Sequence, residues 1–170
     1  MMASMTDAAS PPMPENGILA HSRVWRDGVC VDDDVTPREM LDLAQDPTSL
    51  VWLDLLRPSE QGLTAIARDL RLPQTAVEDA LAPHERAKIA RHDSHLFFTV
   101  YTATLDARSP KESGRLTASR VSGIVMPMAL VTIRLDDNID MLEVVRRWEQ
   151  SPDLLKEGSG ALVYGLLDFV

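Results

Sequence analysis

A chain of 170 residues with 45% hydrophobic content can bury one substantial core, which excludes disorder of the whole chain. The 26 acidic and 17 basic residues leave a formal net charge of −9, which excludes a general nucleic-acid binder and makes cations the natural partners, although an acidic surface also serves solubility. One cysteine, Cys30, excludes an intrachain disulfide and points to a reducing compartment and a buried structural thiol, and no apolar run has the length of a membrane-spanning helix.

Residues 1–17, with Pro11, Pro12 and Pro14 among small polar residues and no basic or apolar leader segment, read as a flexible tail before one domain over 18–170. Asp27-Gly28 between 23–26 and 29–31 predicts a β-hairpin, because both residues tolerate positive φ. Asp32, Asp33 and Asp34 form a solvated turn or a weak cation lure ahead of Thr36-Pro37, which caps and starts a helix to Gln45. The apolar run 51–55 predicts a strand, and Ser59 caps a helix over 60–70 with Leu63, Ile66, Ala67 and Leu70 on one face. Pro73 opens the next helix, where Ala76, Val77, Ala80 and Leu81 form the buried stripe and Glu78 and Asp79 lie at its edge.

That helix ends before Pro83, and the turn His84-Glu85-Arg86 leads to strands over 87–91 and 95–105, joined through His92-Asp93-Ser94. Arg86 is expected to pair with a carboxylate and His84 to satisfy the turn. A polar connection over 106–114 precedes strands over 117–126 and 129–135, the second with Ala129, Val131, Ile133 and Leu135 on one side and Thr132 and Arg134 on the other. A helix over 138–150 should bury Ile139, Leu142, Val145 and Trp148, followed by a helical turn over 153–156. Gly158-Ser159-Gly160 then reads as a hinge before an apolar helix over 161–170. Strands interspersed with helices give the fold class α/β, a mixed sheet covered by helices.

Chemistry-bearing candidates are few. Glu78 and Asp79 offer hard oxygens of the kind Mg²⁺ prefers, but adjacent residues on a helix do not face each other, so a site there needs oxygens from elsewhere; a solvated helix edge is the alternative. Asp168 is the lone charge within 161–170 and must stay exposed, find a partner or shift its pKa. His92 and His95 lie in a turn with no cysteine nearby, which disfavours zinc. No Gly-x-Ser-x-Gly elbow or phosphate-binding glycine loop occurs, Cys30 lacks a local base, and the expectation is that the chain is not an enzyme.

Trp52-Leu53-Asp54-Leu55, the block from Val77 to Ile89, His95 to Val100, Val131-Thr132-Ile133-Arg134 and Val163 to Val170, in that order, resemble the N-terminal cytosolic domain of CorA-type magnesium/cobalt transporters. The resemblance implies a homopentamer on the cytoplasmic side of the membrane, with a stalk helix and two transmembrane helices carrying Gly-Met-Asn beyond Val170. It implies that Asp79, with Glu78 beside it, faces acidic stalk residues of an adjacent protomer across Mg²⁺, that Asp168 matches another acidic position near this interface, and that Co²⁺ or other divalent cations could substitute. Bound Mg²⁺ would favour the closed state. Glu85 and Ala87 depart from the family's His-Gln-Arg-Pro-Lys pattern. A free-standing soluble binding module of the same fold, or the cytosolic domain of a related zinc transporter, are the alternative readings.

Overall fold

The computed structural model describes residues 19–106 and 115–170, with the side chains of 104–106 and 115 left aside. The expected tail over 1–17 and most of the polar connection over 106–114 lie outside the described residues. Among the described residues, one mixed sheet of seven strands runs in the order β2-β1-β3-β7-β6-β5-β4. It comprises β1 (His21–Arg26), β2 (Val29–Asp32), β3 (Ser49–Leu56), β4 (Lys88–Arg91), β5 (Leu96–Asp106), β6 (Arg115–Met126) and β7 (Ala129–Arg134). All pairings are antiparallel except β3 with β7, whose parallel register sets Asp54 opposite Thr132 and Leu56 opposite Arg134.

Both faces of the sheet are covered. On one, α1 (Pro37–Leu43), α2 (Glu60–Asp69) and α3 (Gln74–Leu81) bury Met40, Leu63, Ile66, Val77 and Ala80 against Val51, Leu53, Phe97, Ile124 and Val131. On the other, α4 (Met141–Glu149), α5 (Pro152–Leu155) and α6 (Ser159–Phe169) pack Val145, Trp148, Leu155 and Leu162 on Trp25, Trp52, Phe98 and Leu130. Successive strand residues point to opposite faces, so β3 and β7 supply both layers in turn and all their residues are buried. The expected α/β sheet covered by helices is therefore the fold.

Local chemistry sets the element ends. Asp27 (φ 51°) and Gly28 (φ 79°) make the hairpin turn, and a Cβ on Gly28 would stand 2.2 Å from the Pro152 carbonyl oxygen. Thr36 and Glu39 form a reciprocal capping box on α1, while Ser59 accepts from the Gly62 amide at the start of α2. The second layer is centred on Trp148, which meets Trp25 and Trp52 edge-on at 6.0 and 5.1 Å and donates its indole N–H to the Leu162 carbonyl.

Three expectations need correction. Cys30 is exposed, because β2 is a four-residue edge strand with no helix over it. Helix α4 begins at Met141, where Asp140 caps the Glu143 amide; its buried stripe is Met141, Val144, Val145 and Trp148, leaving Leu142 outside. Gly158-Ser159-Gly160 is not a free hinge: Gly158 takes φ 91° as the cap, Ser159 is buried, and its amide bonds the Pro127 carbonyl, so α6 starts at Ser159. Thr132 and Arg134 lie on the expected second side of β7 and are themselves buried there.

Candidate functional site: a carboxylate–lysine cluster at the end of helix α3

The buried stripe of α3 turns Glu78 outward to solvent and leaves Asp79 half-buried at the helix edge. The chain then reverses through Pro83 and His84, the latter in the left-handed region at φ 58°, and enters β4. Strand alternation puts Lys88, opposite Thr99, on the same face as Ala90, opposite Phe97. That is the α3 face. Lys88 Nζ lies 3.0 Å from Asp79 Oδ1, 3.4 Å from Glu85 Oε2 and 5.4 Å from the centre of the Phe97 ring. The hydrogen bond to Asp79 pushes the Lys88 ammonium above its ordinary pKa, so it stays charged. Lys88, Asp79 and Glu85 are each 20–30% exposed at the side chain, within reach of water and ions.

The cation that meets the carboxylate is thus Lys88 rather than Arg86, which forms no ion pair among the described residues. Arg86 lies within the turn, whereas Lys88 begins the strand that returns beside α3.

Arg120 holds the helix end in place. Its guanidinium, 7% exposed, donates to the Ala82 and Ala80 carbonyls at 2.6 and 2.7 Å, satisfying groups that a helix C-terminus leaves open and complementing its dipole. The Tyr101 hydroxyl donates to the Glu85 carbonyl and ties down the same turn. Sequence reasoning missed Arg120 because its partners lie about forty residues earlier in the chain.

A second charged cluster lies on the opposite face. Arg134 grips Asp54 through Nε (3.1 and 3.2 Å) and a terminal nitrogen (2.6 Å), while its other terminal nitrogen meets Asp137 Oδ1 at 2.9 Å and the Ile139 carbonyl at 3.2 Å. Thr132 donates to Asp54 at 2.7 Å and Trp52 donates to Thr132 at 3.1 Å. Asp54 and Arg134 are 0 and 1% exposed. His21 stacks on Trp52, with its pKa pushed down by burial against the opposing pull of Asp54.

Asp168 is 66% exposed near the end of α6, with Arg147 at 4.0 Å, on the rim of a cleft of about 460 Å³ that Glu143, Trp148, Tyr164 and Gly165 also line. Tyr164 and Leu167 are exposed beside it. Since α3 and α6 cover opposite faces, one chain does not bring Asp79 and Asp168 together. His92 and His95 stack at 4.6 Å, with Ser94 Oγ 3.0 Å from His95 Nδ1. Among the described residues, no group of three or more His, Cys, Asp or Glu is arranged to hold a metal. The donor set at α3 suits a cation, since Asp79 and Glu85 converge on an ammonium, but a divalent ion would need further oxygens from water or another chain.

Residues 47–170 match the family described as CorA-like Mg2+ transporter protein. The chain is 25% identical over 118 residues to YfjQ of Bacillus subtilis (strain 168), provisionally assigned as a metal ion transporter; the match covers 69% of this chain and 34% of that protein. The fold is similar to that of the full-length CmaX protein, with a TM-score of 0.67 and 14% identity over 93% of this chain and 46% of that one. The soluble domain of CorA from Methanocaldococcus jannaschii gives a TM-score of 0.56 and 14% identity over 86% and 54%. The ZntB cytoplasmic domain from Vibrio parahaemolyticus RIMD 2210633 gives 0.54 and 12% over 90% and 59%. The chain thus spans about a third of the curated relative's length and about half of each of these structures.

Proposed function

This chain belongs to the CorA-like Mg2+ transporter protein family, and from that premise we propose that it is the cation-sensing regulatory domain of a divalent-cation transporter, on the cytoplasmic side of the membrane. Among the described residues no helix is long and apolar enough to cross a membrane; in this reading, which rests on the family resemblance, a stalk and transmembrane helices would supply the conducting path. The observation that carries the reading is the half-exposed Asp79 at the tip of an anchored helix, already engaged with a cation.

Asp79, with Glu78 at its outer side, would hold Mg²⁺ against oxygens of an adjacent protomer in a homopentamer; Co²⁺ is the second candidate ion. Bound there, the ion neutralises carboxylates that otherwise repel across the interface. Asp168, with Tyr164 and Leu167, gives α6 an outward face suited to the stalk or a neighbouring protomer. A closed assembly that binds Mg²⁺ more tightly than the open one gains population as the ion rises. At tenfold over its dissociation constant each ion contributes about 1.4 kcal/mol, so repetition around a ring is what makes the switch decisive. The domain itself carries no catalytic role in this reading.

The test is Mg²⁺ inhibition of cation flux by the complete protein in liposomes. Asp79→Ala should shift inhibition to higher Mg²⁺; inhibition identical to wild type would remove Asp79 from the sensing role.

A further inference from the structure

Two carboxylates of different origin, Asp79 on a helix and Glu85 in a turn, point at one cation, and that cation is part of the chain. We propose that Lys88 is a tethered competitor for the divalent cation at Asp79, so that the ion must displace the ammonium to engage the carboxylate. The inference rests on the reading of Asp79 given above and adds how its affinity is set.

Three observations support it. Lys88 Nζ takes Asp79 Oδ1 at 3.0 Å, so a metal ion and the ammonium compete for the same carboxylate. The pair is exposed enough for exchange, about 30% at each side chain, and an ion pair so open to solvent is only weakly held. The ammonium also keeps a second position when displaced, since Glu85 Oε2 lies 3.4 Å away and the Phe97 ring face lies beneath it. Glu85 gives Lys88 a carboxylate to retain after releasing Asp79.

A tethered competitor weakens binding without altering the ligand set. It matches a sensor that must stay empty until the ion is abundant, because the ammonium never dissociates from the chain. Arg86 provides the control: it carries the same charge two residues away and engages no carboxylate among the described residues.

The experiment titrates MgCl₂ against the complete protein in detergent at fixed ionic strength, reading the thermal unfolding midpoint, in wild type, Lys88→Gln, Arg86→Gln and Asp79→Ala. Lys88→Gln should lower the half-effective Mg²⁺ concentration about fivefold, and Arg86→Gln less than about twofold. Equal shifts in the two variants, or none in Lys88→Gln, while Asp79→Ala loses the response, would overturn the competitor and leave the Asp79 site standing. An unaltered response in Asp79→Ala would overturn both. A second readout needs no variant: acetylation of Lys88 in the wild type, followed by mass spectrometry, should accelerate with Mg²⁺ as the side chain leaves Asp79 and is freed toward solvent. A rate indifferent to Mg²⁺ concentrations that stabilise the protein also overturns the proposal.

Discussion

The two carboxylate–cation pairs of this domain use similar groups to opposite ends. Asp54 and Arg134 are sealed between sheet and helices, and every oxygen of Asp54 has a partner. Asp79 and Lys88 meet through one short contact at the rim of α3, with about 30% of each side chain open to solvent. Burial decides the difference: a sealed pair cannot exchange partners without leaving a bare charge in the core, whereas an open pair can release its ion to water at little cost. Asp54 in 52–55 and Arg134 in 131–134, in two of the stretches that carry the family resemblance, are therefore structural. The exchangeable chemistry lies at the end of α3, in the block from Val77 to Ile89.

Substitution of the sealed pair should be the most destabilising. Asp54→Ala should cost about 3–5 kcal/mol by urea unfolding, because it strands a buried guanidinium and frees Thr132. Loss below about 1 kcal/mol would mean the cluster is wetter than its burial indicates. Next comes Arg120→Met, which opens two helix-terminal carbonyls and should cost about 1.5–3 kcal/mol, with faster amide exchange over 76–82.

Acid sharpens the contrast. Burial depresses the pKa of His21, beside the Asp54 cluster, and of His95, for which the charge of His92 adds to the effect. A histidine with a lowered folded-state pKa contributes stability that is complete above its unfolded value of 6.5 and is lost as pH falls below it. The thermal midpoint should therefore drop from pH 7.5 to 5.5, and His95→Phe should flatten part of that drop. The smallest effect belongs to the open pair: Lys88→Gln should change stability without Mg²⁺ by about 0–1 kcal/mol.

Much of this fold was legible because its determinants are local. Asp27-Gly28 marks the hairpin, Thr36 and Ser59 mark helix starts, and the apolar stretches at 51–53 and 129–131 mark strands of the sheet. What escaped depends on residues far apart in sequence. Nothing near Arg120 announces that it caps α3, and nothing near Cys30 announces that β2 is an uncovered edge. The partner of Asp79 was within reach: alternation along β4 sets Lys88 on the face of Ala90 and so toward α3, a signal that outweighs the nearness of Arg86. Helix α4 was misread through its spacing, since a strict three-residue repeat drifts around the helix, so the buried stripe runs through Met141, Val144, Val145 and Trp148 and leaves Leu142 outside.

If ion sensing is confined to the open pair, Mg²⁺ should leave its mark at α3 and β4 and nowhere near the sealed cluster. Amide hydrogen exchange across the complete protein, with and without saturating MgCl₂, reads this out. Exchange should change over 74–91, covering α3, the His84 turn and β4, and stay unchanged over 50–56 and 130–135, where the sealed cluster sits. Mg²⁺ effects on the Asp54 and Arg134 strands with none at α3 would move the sensing site away from Asp79.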